Sequence, residues 1–325
     1  MIKVGSDFSG VGAFDQALIR LGIKYKTIFS CDMDKYARQT YIENYGEPEY
    51  YPADVYDREI PKQSLDIYMT SPPCQAFSMA GKRLGKEDKR GILFFNSHEF
   101  IQKNKPRFFI FENVRGLLSH EEGRTFQEWI NYLGGKSING LPVLFPDENA
   151  VPYHLYYKVL NSKKLNVPQN RERIFIIGIR DDQDNVFQFP KDEPLTKKLK
   201  DVLQEEANDK YFLLLKKDEK IINSNSGNVE KILKGGRWDK MKEQSRRIYN
   251  KNLAASTIHT CQGGHTHPKI MCNKNIRRLT PRECFRLMDF PDTFTWSVSD
   301  SQAYKQAGNS IVVKCLEKII EKFKL

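Results

Sequence analysis

The sequence predicts an α/β fold, in which a mostly parallel, doubly wound sheet is joined by a smaller, basic domain. Over the first 180 of the 325 residues, short runs rich in apolar, β-branched and aromatic residues alternate with amphipathic stretches. This alternation is typical of a parallel sheet with helices on both faces. Beyond residue 180 the pattern gives way to charge runs. Fifteen Lys and Arg against five Asp and Glu lie between Lys216 and Arg278.

The predicted elements follow in chain order. The strands are Ile2–Gly5, Lys26–Ser30, Leu65–Thr70, Arg107–Phe111, Tyr153–Leu160 and Arg173–Ile179. The helices are Ala13–Leu21, Lys35–Tyr45, Ile92–Gln102 and Arg124–Leu133. Residues 134–150, rich in Gly, Pro and Asn, are predicted to be a surface excursion.

Regular pattern returns near the C-terminus. Thr280 and Pro281 indicate the N-cap and first position of a helix over Leu279–Met288, and a final helix is predicted from about Ser301 to Leu325. We therefore expect one domain over residues 1–180 plus 279–325 and a second over residues 181–278.

Composition limits the class of protein. A hydrophobic content of 39% is ample for a packed core, and neither an 18-residue apolar run nor a signal-peptide pattern is found. We expect a soluble, cytoplasmic protein whose six scattered cysteines are free thiols. Nearly all of the net charge of +11 belongs to the segment from Lys216 to Arg278. This distribution favours a polyanionic partner, with abundant lysine serving only solubility as the alternative.

Cys74 is the candidate nucleophile. It follows Ser71, Pro72 and Pro73 in a loop after the predicted strand Leu65–Thr70, where the prolines stiffen the backbone. In open α/β sheets, ligands bind at this end of the strands. A free cysteine is more often a small buried hydrophobe, so the other motifs have to decide between the two interpretations.

A glycine loop, Asp7–Phe14, lies between the first strand and the first helix. Gly10 and Gly12 permit a tight turn, and Asp32 follows 20 positions after Gly12, where it could bind ribose hydroxyls. Asp15 stands where a dinucleotide-binding loop has its third glycine. The loop therefore favours a nucleoside ligand without phosphates.

Two further motifs carry charged side chains. Glu112 comes at the end of the predicted strand Arg107–Phe111, where burial would favour its protonated, proton-donating form. In Gln169-Asn170-Arg171-Glu172-Arg173, Arg171 and Arg173 fall on one side of an extended segment. Alone, that segment is typical of a solvated strand edge.

Taken together and in this order, the motifs resemble those of the DNA cytosine-5 methyltransferase family, bacterial or phage type. The glycine loop, S-P-P-C-Q-A-F-S, E-N-V and Q-x-R-x-R match its cofactor, nucleophile and base-holding motifs. The runs Arg278–Cys284 and Gln302–Ser310 match its two C-terminal motifs. One departure is Ala13, where the family usually has glycine. The resemblance implies an S-adenosylmethionine-dependent methyltransferase fold, with a target-recognition domain over residues 181–278.

The resemblance also implies the chemistry. Cys74 would attack C6 of a cytosine flipped out of duplex DNA, so that C5 accepts a methyl group from S-adenosyl-L-methionine. Glu112 would hold N3 of the ring. Arg173 would hold O2 and steady Glu112, while Arg171 would support the nucleophile loop or a nearby phosphate.

Binding residues are implied in the same way. Phe8 would lie against the adenine, Asp32 would bind the ribose, and Asp54 would accept from the adenine amino group. The other expected cofactor residues are Ser9, Gly10, Gly12, Met33, Val55, Pro73, Leu93, Asn309 and Ser310. The expected DNA contacts are Gln75, Ser78, Lys82, Arg83, Arg237, Thr257, Gln262 and Gly263. For any one residue of the recognition loops, an ordinary surface loop is an equally good interpretation.

Residues 259–272 contain a cluster of possible metal ligands, His259, Cys261, His265, His267 and Cys272. Their spacing is not a common one for structural zinc, so no metal is expected and contacts to DNA are the default.

The alternatives are a tRNA cytosine-5 methyltransferase and an inactive DNA-binding regulator on the same fold. The tRNA branch usually has a Cys-Phe-Thr signature, which is absent here, and an inactive protein would have lost Cys74, Glu112 or the arginines. We expect a monomer that acts on double-stranded DNA in a nucleoid-associated setting. A cognate restriction endonuclease would act separately, and a solitary or phage-protection role stays open.

Overall fold

The computed structural model describes residues 1–73, 92–183, 185–224, 227–262 and 266–325. The chain divides into two compact units. The first comprises Met1–Leu160, Glu172–Lys191 and Leu316–Leu325, and the second comprises Asn161–Arg171 and Asp192–Cys315. The predicted domains differ from these units: they group residues 161–171 and 279–315 with the catalytic domain and residues 181–191 with the recognition domain. The division by function stays a prediction.

The first unit contains the predicted α/β sheet. Its strands are β1 (Ile2–Asp7), β2 (Tyr25–Cys31), β3 (Ile67–Thr70), β4 (Phe108–Val114), β5 (Ser137–Ile138), β6 (Leu141–Pro142), β7 (Tyr153–Asn161) and β9 (Glu172–Arg180). Among the described residues the order is β2-β1-β3-β4-β9-β7-β5-β6. The pairs β1–β2, β1–β3, β3–β4 and β5–β7 are parallel, whereas β4–β9 and β5–β6 are antiparallel. The mostly parallel sheet is therefore confirmed.

Helices follow the strands where the amphipathic stretches predicted them. They are α1 (Ala13–Arg20), α2 (Lys35–Tyr45), α3 (Ile92–Asn104) and α4 (Arg124–Leu133). Aromatic side chains attach them to the sheet, since Phe100 of α3 stacks on Tyr68 of β3 at 4.1 Å between ring centroids. Phe94 of α3 stacks on Trp129 of α4 at 4.4 Å. These rings belong to one buried hydrophobic cluster.

The predicted surface excursion at residues 134–150 contains the β5–β6 hairpin, which extends the sheet. Its exposure is confirmed at Leu141, Leu144 and Phe145, whose side chains face solvent. Short 3-10 helices elsewhere are Arg115–Gly123, Ser162–Lys164, Leu199–Val202, Asp209–Tyr211 and Gly236–Lys240.

The second unit is built on its own sheet. The strands are β10 (Phe212–Leu213), β11 (Lys220–Asn223), β12 (Val229–Lys234), β13 (Arg247–Tyr249), β15 (Lys269–Cys272) and β16 (Asn275–Arg278). Over the described part of the chain they run in the order β10-β16-β15-β13-β12-β11, antiparallel except for β13–β15. Leu233, Trp238, Ile248 and Ile276 form its small core. A separate parallel pair joins β8 (Gln169–Asn170) to β14 (Ala255–Ser256), and a short helix, α5, spans Glu243–Arg246.

The helix predicted after Thr280 is confirmed as α6 (Pro281–Leu287). The Thr280 side chain accepts from the backbone N–H of Glu283, and the Glu283 carboxylate accepts from the N–H of Thr280, which is a complete capping box.

The prediction of a single final helix from about Ser301 to Leu325 was wrong. Two helices, α7 (Asp300–Asn309) and α8 (Val313–Ile320), are separated by Ser310, whose backbone is extended at φ −67° and ψ 161°. The carbonyl of Ser310 accepts a hydrogen bond from Arg171, and this long-range contact ends α7 although the amphipathic pattern continues. No helix in the described ranges is long and apolar enough to cross a bilayer.

Candidate active site

The carboxyl ends of four parallel strands meet at one edge of the first sheet. The register places Asp7 of β1 beside Cys31 of β2 and Thr70 of β3, and Thr70 in turn beside Phe111 of β4. The loops that start at this edge carry the glycine motif, Asp32 and the Pro-Pro segment, and Glu112 lies near the carboxyl end of β4 itself. This edge is where open α/β sheets bind their ligands.

The glycine loop turns sharply at this edge. Phe8, Gly10 and Gly12 have φ values of 57°, 56° and 82°, in the left-handed region. A Cβ added at Gly12 would lie 2.2 Å from the Tyr45 ring, whereas one at Gly10 would meet open space. Glycine is therefore required sterically at position 12, and at position 10 it leaves the backbone open to a ligand.

Asp32 is held by the backbone of two loops. Its Oδ2 accepts from the N–H of Gly10 at 2.7 Å, and its Oδ1 accepts from the N–H of Asp34 at 2.8 Å. Burial raises the pKa of the Asp32 carboxyl, and these two amide hydrogen bonds oppose that shift. The carboxylate is fixed in orientation and keeps lone pairs that can accept from a pair of hydroxyl groups. Met33, next in the chain, is 81% exposed.

The other predicted adenosine residues lie on the same unit. Asp54 is half-buried, and its Oδ1 accepts from the N–H of Tyr56 at 3.0 Å, which closes a tight turn. Val55 belongs to the buried cluster that contains Tyr68 and Phe100, and Phe8 and Leu93 pack against that cluster. The edge thus combines apolar side chains with oriented carboxylates. Pro73 is exposed.

Glu112 forms an ion pair with Arg173. Residues Val114 and Arg173 face each other in the antiparallel β4–β9 ladder, which brings the Arg173 side chain next to β4. Its Nε lies 3.1 Å from Oε1 of Glu112, and the two side chains are 19% and 9% exposed. The pair is therefore preorganised at the strand edge by backbone register.

The segment that leads to Cys74 is anchored next to this pair. The amide of Asn113, a buried residue, donates to the carbonyl of Pro72 at 3.2 Å, and the Ser71 hydroxyl donates to the carbonyl of Phe8 at 3.4 Å. Cys74 follows Pro73 directly in sequence. Together with Gln75, Ser78, Lys82 and Arg83, it lies outside the described residues.

Two residues of this edge, Asn113 and Arg58, were not predicted from the sequence. Asn113 was part of the quoted E-N-V motif, which was the available signal. No sequence motif marked Arg58. Its side chain is buried, with Nε 2.9 Å from Oδ1 of Asp7. Its guanidinium lies over the Phe100 ring, 4.6 Å from the ring centroid. Asp7 also accepts from the hydroxyl of Tyr68 at 2.6 Å. Burial raises the pKa of Asp7, and Arg58 opposes that shift.

In the second unit, Arg171 is buried rather than displayed at a solvated strand edge. Its guanidinium donates to the carbonyls of Ile258, Gly308 and Ser310 at 3.0, 2.9 and 2.9 Å. Ser310 is buried and Asn309 is exposed. The predicted roles of these residues are not decided by their contacts and stay predictions.

The predicted DNA contacts of this unit have varied surroundings. Arg237 pairs with Glu219 at 3.2 Å and lies over the Trp238 ring at 5.0 Å. The hydroxyl of Thr257 donates to the carbonyl of Asn170 at 2.6 Å, and Gln262 is exposed. Gly263 lies outside the described residues.

Possible metal ligands are not grouped in the described part of the chain. Outside residues 74–91, 184, 225–226 and 263–265, no three His, Cys, Asp or Glu side chains are grouped to hold a metal ion. His265 of the sequence cluster falls in one of those gaps. The described cysteines, Cys31, Cys261, Cys272, Cys284 and Cys315, are free thiols as predicted.

Comparison with known proteins agrees with this architecture. A sequence model of the family described as C-5 cytosine-specific DNA methylase matches residues 2–325. The chain is 35% identical over 324 residues to the Type II methyltransferase M.HhaI of Haemophilus parahaemolyticus, covering 96% of this chain and 91% of that protein. It is 29% identical over 442 residues to the orphan methyltransferase M.SPRI of Bacillus phage SPR, covering 98% and 97%.

Among solved structures, the S. pombe Dnmt2 methyltransferase is similar with a TM-score of 0.71, covering 98% of this chain and 97% of that one. Its sequence identity is 19%, so this likeness concerns the fold alone, and it confirms the predicted methyltransferase fold class. The matched family extends over almost the whole chain and agrees with the order of the motifs. The chain therefore belongs to the C-5 cytosine-specific DNA methylase family and is a DNA cytosine-5 methyltransferase.

Proposed function

We propose that this methyltransferase moves a methyl group from S-adenosyl-L-methionine to C5 of a cytosine flipped out of duplex DNA, with Cys74 as the nucleophile. The observation that carries the proposal is the ion pair of the buried Glu112 with the half-buried Arg173, next to the anchored Pro72. Pro73 and Cys74 follow Pro72 directly in sequence. A carboxyl and a guanidinium held together can grip one edge of a pyrimidine through two neighbouring atoms. Cys74, two positions after Pro72, would bring its thiol to this pair.

The residues present fit the proposed cofactor. The oriented Asp32 carboxylate suits ribose hydroxyls, and the apolar side chains of Phe8, Val55 and Leu93 suit a purine ring. The other proposed contacts are Ser9, Gly10, Gly12, Met33, Asp54, Pro73, Asn309 and Ser310. When bound, the cofactor supplies an electrophilic methyl group on a sulfonium whose positive charge is lost on transfer.

The chain's own groups perform the remaining chemistry. Cys74 adds to C6 as a thiolate, because the neutral thiol is a poor nucleophile. Glu112 protonates or hydrogen-bonds N3 while the electron pair of the ring moves toward C5, and Arg173 holds O2. After C5 has bound the methyl group, a base removes the C5 proton. The C6–S bond then breaks and the N3 proton returns to Glu112, which restores the aromatic ring, the thiolate and the carboxyl group.

Duplex DNA is the proposed substrate because the second unit contains the basic surplus. C6 of a stacked cytosine is shielded, so the base has to leave the helix before the thiolate can reach it. Lys82 and Arg83 are proposed phosphate contacts, with Gln75 and Ser78 in the same segment. Arg237, Thr257, Gln262 and Gly263 are proposed contacts of the second unit.

The similarity to M.HhaI supports a Type II restriction–modification setting, in which a separate endonuclease would cut the unmodified site. The relative from Bacillus phage SPR supports a solitary phage role as the alternative. A monomer suffices for either, because one chain has one catalytic edge and one recognition region. We further propose a cytoplasmic location near the nucleoid.

Methyl transfer to isolated nucleic acids tests the proposal. The protein and its Cys74→Ala variant are incubated with tritiated S-adenosylmethionine and either duplex DNA or bulk tRNA, and labelled nucleosides are separated. We expect label in 5-methylcytosine of DNA with the wild type and none with the variant. Label in tRNA alone would support the tRNA branch instead. Label in neither would support the inactive regulator.

A further inference from the structure

Both backbone polar groups of Ile258 are bound by buried side chains. Its N–H donates to Oε1 of Gln169 at 3.0 Å, and its carbonyl accepts from Nη1 of Arg171 at 3.0 Å. Gln169 is fully buried, and its amide also donates to the carbonyl of Leu287 at 2.9 Å. A buried amide and a buried guanidinium with these partners hold one residue in a single position.

The segment before Ile258 is bound along β8, the strand that contains Gln169. Ala255 and Ser256 pair in parallel with Gln169 and Asn170, and the hydroxyl of Thr257 donates to the Asn170 carbonyl at 2.6 Å. Residues 255–258 are therefore docked by a ladder and by three side-chain contacts. The segment that follows Ile258 therefore begins at a fixed position.

The segment after Ile258 is docked on helix α7. A Cβ added at Gly308 would lie 2.3 Å from the carbonyl oxygen of His259, so the helix and this backbone touch directly. One turn earlier, the Tyr304 ring lies edge-on to the His267 ring at 4.5 Å between centroids. The described residues 259–262 and 266–267 include Gln262, a proposed DNA contact, and they lie against α7 through His259 and His267. We call these residues the recognition loop.

The same guanidinium also holds the end of α7. Nη2 of Arg171 donates to the carbonyls of Gly308 and Ser310, on either side of Asn309, while Nη1 holds Ile258. One rigid, planar group thus fixes the start of the recognition loop and the Asn309–Ser310 turn at the same time. Lysine could not replace it, because one ammonium group lacks the fork that reaches three separate carbonyls.

We propose that Arg171 and Gln169 are positioning residues that couple the recognition loop to the Asn309–Ser310 turn, so that binding of cofactor and of the target sequence reinforce each other. The inference rests on the proposed function, in which Asn309 and Ser310 contact the methionine end of the cofactor. Coupling of this kind is reciprocal: the factor by which DNA tightens cofactor binding equals the factor by which cofactor tightens DNA binding.

The test measures that factor. Binding of S-adenosylhomocysteine, the unreactive product, is titrated by calorimetry alone and with a duplex that contains the sequence the wild type methylates. A duplex with that sequence altered serves as reference. We expect the wild type to show a factor within roughly 5- to 150-fold, the usual range for coupled sites. Arg171→Lys and Gln169→Leu should bring it close to one.

Arg286→Lys is the matched control. Arg286 also lies in the second unit, donates to the carbonyls of Val202 and Leu203, and pairs with Asp292. The same chemical change there should leave the coupling factor at its wild-type value. A factor in Arg171→Lys equal to that of Arg286→Lys would overturn the proposal.

Hydrogen–deuterium exchange of the wild type keeps the proposal testable if the variants do not fold. Adding S-adenosylhomocysteine without DNA should slow amide exchange in peptides that cover residues 258–262 and 266–269. If exchange slows around Asp32 while these peptides stay unchanged, the coupling is refuted and the proposed function stands. If no peptide responds and no heat of binding is found, the proposed cofactor and this inference both fail.

Discussion

Glu112 and Glu172, the residue before Arg173 in sequence, allow a controlled test of the proposed N3 contact. Glu112 is buried against Arg173, whereas Glu172 is more exposed and pairs with Arg115 at 2.7 Å. Glu112→Gln keeps the shape but removes the acid, so the single-turnover methylation rate should fall by roughly 10²- to 10⁴-fold, the usual contribution of general acid–base catalysis. DNA affinity should stay near the wild-type value.

Glu172→Gln is the control for that experiment and should methylate at close to the wild-type rate. Equal rates for Glu112→Gln and the wild type would contradict the N3 role. A comparable fall in both variants would instead indicate a general loss of structure at β9.

Asp15 predicts a dependence of stability on pH. It is buried in α1, where its Oδ1 accepts from the Tyr41 hydroxyl at 2.8 Å, and burial raises the pKa of its carboxyl to about 6 from an ordinary 3.8. The folded state therefore binds the proton more tightly than the unfolded state. Its contribution to the free energy of unfolding is largest below pH 4 and is lost as pH rises to 6, by about 3 kcal/mol at 1.36 kcal/mol per unit.

Asp15→Asn should remove this dependence, so the difference in free energy of unfolding between variant and wild type should change by that amount between pH 4 and 7. Urea denaturation at several pH values measures it. Asp182→Asn is the control, because its hydrogen bond with Arg180 lowers the pKa of Asp182 to about 2, outside this window. A difference between Asp15→Asn and the wild type that is independent of pH would contradict the burial argument.

At the level of elements, Gly10 and Gly12 of the glycine loop are required for different reasons. Ala at Gly12 would bring Cβ within 2.2 Å of the Tyr45 ring of α2, whereas Ala at Gly10 meets only the strain of its positive φ. That strain costs about 1–2 kcal/mol. Gly12→Ala should therefore lower the melting temperature more than Gly10→Ala. Scanning calorimetry without ligand measures this, and equal melting temperatures would contradict the steric account.

Most helices and strands of the first unit were predictable because each has its own apolar period. Strands β5 and β6 were not, since each is only two residues long. Helix α2 was predicted with the bounds it has, and so was α4. The break between α7 and α8 was not, since it depends on Arg171, which is 139 residues away from Ser310 in sequence. For the same reason, the sequence showed Asp15 only as the residue at the position of the third glycine of a dinucleotide-binding loop. Its hydrogen bond with Tyr41 was not predicted.

For the whole molecule, the site was predictable to the extent that chain order determines it. The glycine loop, Asp32 and the Pro-Pro segment each follow a parallel strand, and Glu112 lies near the end of β4. The carboxyl ends of parallel strands share an edge. The ion pair of Arg58 with Asp7 could not be foreseen. It joins a loop residue to a strand 51 positions earlier, and no local pattern marks the arginine.

The central claim is a covalent intermediate through Cys74, and a substituted substrate tests it most directly. In duplex DNA made with 5-fluorocytosine in place of cytosine, the fluorine at C5 cannot be removed as a proton is, so the enzyme should stay bonded to C6 after methyl transfer. Mass spectrometry of the denatured mixture with S-adenosylmethionine should show the wild type joined to DNA, with the attachment at Cys74, and Cys74→Ser unattached. A wild-type protein that methylates cytosine in ordinary duplex DNA yet forms no adduct with the substituted duplex would contradict the account.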